Sequence, residues 1–276
     1  PGGADDGGRR GLTGGRLDDL TLARYRETVD PASPEIVLLA PSGTPTPYYV
    51  ELGWSAEAGT TARLPDQNTV WQADGTALTP EHPLTLSWNN GQGLTFSKTI
   101  FIDDKYMFTV KQSVKNESGA PITLHPYGLV ARTFDLEATR TYLLHEGPIG
   151  VYDNRLAEDS LKDLAEDGIL TRSTTGGWFG FTDKYWLVAL VPDQAAKLAT
   201  RVFNARQVAD NRFQLDFMGD AITVAAGENT EVMTRLFSGA KEVRVLEAYR
   251  DELSLPRFDY AIDFGWFYFL TKPYFH

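Results

Sequence analysis

From Pro83 onward, apolar residues recur at every second position. Leu84, Leu86 and Trp88 share one face of an extended segment, and Asn89-Asn90-Gly91 supplies the turn of a hairpin. Leu94, Phe96, Ile100 and Ile102 carry the alternation to a turn at Asp103-Asp104. Beyond it Tyr106, Phe108, Val110 and Val114 face one way, and Lys111, Ser113 and Lys115 the other. Residues 117–121 turn the chain again, and similar strands are expected at 178–181, 185–191, 198–205, 213–217 and 231–237. One buried and one wet face, repeated at this spacing, predicts an all-β sandwich.

Two stretches change period. Leu156, Leu161, Leu164 and Ala165, closed by Gly168, predict one short surface helix. Val243, Leu246, Tyr249 and Leu253 fall at steps of three, three and four, which gathers them on about a third of a helical circumference. A helix that packs on another element and is ended by Pro256 is expected. Residues 1–11, with five glycines and no apolar periodicity, read as a flexible N-terminal segment, and 41–47 as an exposed loop. No fixed-period repeat is visible, which argues against propellers and solenoids.

Composition narrows the functions. The chain has 276 residues, 42% of them hydrophobic, enough apolar material for a core of that size. Its formal charge of −11 lacks the basic footprint that nucleic acid requires, and restricts any membrane contact to a local segment. With no cysteine there is no disulfide framework, thiolate metal site or cysteine nucleophile. No signal peptide or run of about 18 apolar residues occurs, so a soluble piece is expected.

Catalysis has few candidates. An acid–base pair would have to come from His82, His125 or His145 with acids such as Glu81 and Glu146, and no spacing puts two of them on one face. Gly91-Gln92-Gly93 lacks the helix and lysine of a phosphate loop, and Asp103-Asp104 reads as turn chemistry. A non-catalytic module without cofactor or metal is the expectation. Trp54, Trp88, Trp178 and Trp186 read as core filling; Trp71, among Thr69, Gln72 and Asp74, is the candidate cleft-lining residue. The acidic stretch 157–167 reads as a solvated face or a partner surface.

The last 19 residues stand apart. Nine aromatic residues lie between Phe258 and Phe275, and Phe264-Gly265-Trp266-Phe267-Tyr268-Phe269-Leu270 is continuously apolar. The run is too short to span a bilayer, whereas Trp and Tyr suit the headgroup boundary. By composition it is equally well a last core element. The segment DYAIDFGWFYFLTKPYF, 259–275, closely resembles the junction that joins the large periplasmic domain of YidC-type membrane-protein insertases to their second transmembrane helix. GGWFGFTDKYWLVALVPDQ, 176–194, resembles that family's Gly-Gly-Trp strand and the strand after it. TGGRLDDLTLARYRE, 13–27, resembles its early Gly-Gly turn and strand. The likeness covers nearly the whole chain and departs from the family at residues 1–11, where a first β-strand is usual.

The resemblance implies a galactose-mutarotase-like β-supersandwich over 12–257, with a C-terminal helix over 242–255 packed on it, followed by an aromatic junction at 258–276. It also implies anchorage in the bacterial inner membrane with this domain in the periplasm. The implied work is insertion and folding of membrane proteins, alone or with the Sec translocon and its SecD-SecF accessory. In that reading Trp266, Phe267, Tyr268, Phe269 and Leu270 lie on the membrane surface, Lys272 reaches headgroups, Pro273 turns the chain and Gly265 permits a bend. A carbohydrate-binding or mutarotase-like sandwich is the alternative.

Overall fold

The computed structural model describes residues 13–30, 32–136, 145–205 and 211–262. In chain order the strands are β1 (Leu20–Arg26), β2 (Glu35–Leu39), β3 (Tyr48–Ala56), β4 (Gln72–Ala73), β5 (Leu84–Asn89), β6 (Leu94–Ile102), β7 (Met107–Asn116) and β8 (Ile122–Thr133). There follow β9 (Gly147–Tyr152), β10 (Arg155–Glu158), helix α1 (Leu161–Asp167), β11 (Ile169–Thr175), β12 (Trp178–Thr182), β13 (Trp186–Pro192) and β14 (Lys197–Asn204). The chain continues through β15 (Arg212–Gly219), β16 (Ile222–Val224), β17 (Asn229–Ala240), helix α2 (Val243–Glu252) and a 3-10 turn at Phe258–Ala261.

These strands build the expected β sandwich. A nine-stranded antiparallel sheet runs β10-β9-β12-β13-β17-β7-β6-β5-β4. It faces a six-stranded sheet in which β11, β14, β15 and β8 are neighbours, with β3 on β8 and β16 resuming the pairing along β8. β1 and β2 form a separate ribbon. The main core lies between the sheets, where Phe96, Val110, Leu124, Val130, Phe181 and Leu215 are buried.

The alternation behaves as read in β6, whose Leu94, Phe96 and Ile100 point inward beside half-buried neighbours. Elsewhere it disappears for a physical reason. β9, β12 and β13 are buried almost throughout, because α2 and the 3-10 turn cover the outer face of the nine-stranded sheet there. A strand covered on both faces reads as a continuous apolar run. Trp178 thus faces the helix side while its neighbours Phe179 and Phe181 face the main core.

Both helices are present, with one correction. Leu156 pairs with Val151 in the β9–β10 hairpin, and α1 starts only at Leu161, where the Ser160 hydroxyl accepts from Asp163 N. The apolar spacing from Leu156 to Leu161 therefore bridges two elements. α2 keeps its period, with Leu246 and Tyr249 buried.

Candidate functional site

Both ends of the described chain are fastened to the sandwich, by different chemistry. At the carboxyl end α2 lays Leu246 and Tyr249 on the outer face of the nine-stranded sheet, and the Tyr249 hydroxyl donates to the Asp103 carboxylate in the turn before β7. The chain then reverses through Ser254 and Arg257, at φ of 53° and 54°. Non-glycine residues hold such angles only where surrounding contacts impose them. The reversal drives Phe258 edge-on between Trp178, 5.2 Å away, and Phe237, 5.7 Å away. Trp178 Nε1 donates to Pro256 O at 2.9 Å. Arg250 Nη1 donates to the buried Asp259 Oδ2 at 2.9 Å, while Asp259 Oδ1 has no partner. Phe258 and Ala261, the start of the aromatic tail by sequence, are thus core residues of this clamp. Phe264, Gly265, Trp266, Phe267, Tyr268, Phe269, Leu270, Lys272 and Pro273 lie outside the described residues.

At the amino end, residues 13–17 cross from one sheet edge to the other. Leu17 and Val50 exchange two backbone hydrogen bonds of 2.9 Å at β3, and Gly14 N donates to Thr69 O at 2.7 Å beside a Thr13–Val70 bridge just before β4. Gly14 and Gly15 take φ of 76° and 60°, and a Cβ on Gly15 would lie 2.8 Å from Trp71 Nε1. Beneath this strap sits Lys98, an inward residue of β6 and only 5% exposed. Its Nζ donates to Gly15 O at 3.1 Å and lies 4.9 Å from the Trp71 ring centroid. Arg16 Nε pairs with Glu51 Oε2 at 2.7 Å, and the Tyr127 hydroxyl donates to Glu51 Oε1 at 2.6 Å.

Burial dominates the electrostatics. It pushes the Lys98 ammonium down to about 8, against the attraction of Glu51. It pushes the Tyr127 hydroxyl up, reinforced by the same carboxylate. The cavity among Trp71, Lys98, Glu51, Tyr127 and Asp66 measures about 20 Å³, room for a water molecule but not for a sugar ring. Trp71, the candidate cleft residue, is 3% exposed, and its Nε1 has no hydrogen-bond partner. A larger groove of about 540 Å³ opens between the sheets near Leu198, Phe217 and Val232. At its rim Asp193 is engaged with Ala195 N, and Glu231 with Lys111.

Lys98 and its register partner Gln112 escaped sequence reasoning, although a signal was there. In the apolar phase of β6 and β7 the series Leu94, Phe96, Ile100 and Val110, Val114 skips one position each, and the skipped residues are Lys98 and Gln112. Both are buried, and the Gln112 amide has no partner. Among the described residues the histidines do not converge on an acid. His125 meets Gly219 O at 3.1 Å, His145 meets Pro148 O at 2.9 Å, and His82 sits against Thr79. Among the described residues no cluster of three or more metal-ligating side chains occurs, and no helix is long and apolar enough to cross a membrane.

The model of the YidC periplasmic domain family matches residues 10–276. The chain belongs to that family. It is 49% identical over 275 residues to the membrane protein insertase YidC of Nitrobacter hamburgensis, covering 96% of this chain and 45% of the relative. The insertase of Bradyrhizobium diazoefficiens is 48% identical over the same share of this chain and 44% of its own length. The chain therefore spans less than half of these relatives. Among solved structures, a galactose mutarotase-like protein from Lactobacillus casei is similar at a TM-score of 0.47 and 8% identity, covering 69% of this chain and 85% of that one. A galactose mutarotase related enzyme from Lactobacillus acidophilus gives 0.45 and 11%, covering 69% and 82%. At those values neither carries a function across.

Proposed function

We propose that the chain is the periplasmic, partner-positioning module of a bacterial inner-membrane insertase, acting without catalysis of its own. In this reading it helps insert and fold membrane proteins, alone or beside the Sec translocon and SecD-SecF, and its aromatic tail lies on the membrane surface before a transmembrane helix. One observation supports this most directly. Phe258, at the start of the aromatic tail, is buried between Trp178 and Phe237, which ties the tail to the sandwich. Family membership supplies the context, since the relatives carry the insertase name. The carbohydrate alternative lacks a site at Trp71, where the cavity is too small.

The test uses the full-length insertase containing this domain. Phe267→Asp and Leu270→Asp place charges on the face proposed to meet lipid. The expected result is impaired insertion of a client protein, with the isolated domain's unfolding midpoint unchanged. Normal insertion and normal stability in both variants would overturn the assignment.

A further inference from the structure

We propose that residues 13–17 form a releasable strap over the gap between the two sheet edges, biased toward opening by the charge that it covers, the Lys98 ammonium. Three backbone hydrogen bonds, the Thr13–Val70 bridge and the contacts of Arg16 with Glu51 and Ser42 hold the strap, and its centre is two glycines without side chains to bury. Closing it buries a lysine whose hydrogen bond goes to the neutral Gly15 carbonyl. The charged and titratable groups facing Lys98 come from four directions: Arg16 on the strap with Asp18 beside it, Glu51 on β3, Asp66 in the loop before β4 and Tyr127 on β8. Glu51 is already shared by Arg16 and Tyr127, so the ammonium has no carboxylate of its own. Across the sheet it meets Gln112, which is neutral.

An ammonium in that position favours whichever state returns it to water. Opening would hydrate Lys98 and free the backbone groups of Val50 that Leu17 now pairs. The sign follows from proton linkage. The closed strap holds Lys98 near 8 and the open one lets it return toward 10.5, so the open state binds more protons. Acidification favours opening, and raising the pH through that window favours closure.

Hydrogen exchange on the 276-residue chain tests this directly, read at the amides of Gly14, Leu17 and Val50, with Val188 and Leu190 in the core as controls. Between pH 7 and pH 9, after correction for intrinsic exchange, strap protection should rise about tenfold. Lys98→Met should flatten that rise to less than about twofold while leaving the controls alone. Strap protection that tracks the core with pH, or a Lys98→Met variant that keeps the full rise, would overturn the proposal. The wild-type pH series decides by itself if the variant does not fold.

Discussion

The clamp and the strap attach the two ends of the described residues to the same sandwich by opposite means. The clamp buries Phe258 against Trp178 and Phe237 and satisfies most of its polar atoms, so apolar burial and hydrogen bonding favour the same state. The strap covers a lysine, a tryptophan N–H without a partner and a cavity of water size, so its hydrogen bonds work against desolvation. A fully buried aromatic with good neighbours stabilises by a few kcal/mol, whereas a buried charge without its own counter-ion removes a comparable amount. The lesson is that one fold can fasten one end with burial and hydrogen bonding acting together and the other with the two opposed.

The largest effect should come from breaking the clamp. Phe258→Ala should lower stability by about 3–5 kcal/mol in urea titration, since Trp178 and Phe237 lose a ring that they both contact. A loss under about 1 kcal/mol would make the clamp ornamental. Arg250→Met tests its polar half: it strands the buried Asp259 carboxylate and should cost about 2 kcal/mol, with Asp259→Asn in the same chain restoring much of the loss. No restoration would mean that the pair does not act together. The smallest global effect is expected at the strap. Gly15→Ala puts a Cβ at positive φ against Trp71 and should cost about 1–2 kcal/mol, appearing as faster exchange at Gly14 and Leu17. An equal acceleration throughout the core would show the strap and sandwich to be one cooperative unit.

Legibility in the sequence followed burial geometry. Strands with one wet face, such as β6 and β7, were readable from alternation, and α2 from its three-three-four spacing. Apolar spacing places Leu156 in a helix because spacing alone does not mark where one element ends and another begins, and the Ser160 cap does. Trp71 looked wet among polar neighbours, yet the strap and Lys98 close over it from 56 positions upstream and 27 downstream. Such closure has no local signature. Besides Trp71, the polar interruption at Lys98 and Gln112 is a trace of the pocket along the chain, and it marks a buried polar site without saying what covers it.

By itself, then, the sequence determined the all-β class, the position of α2 and the concentration of aromatic residues at the carboxyl end, because each rests on the local period of side chains about the backbone. Tertiary structure alone decided that Phe258 belongs to the sandwich, that β12 and β13 are covered on both faces, and that a lysine lies under the amino-terminal strap. Those outcomes depend on which distant segments meet, and the free energy of burying a ring or a charge is set by those neighbours.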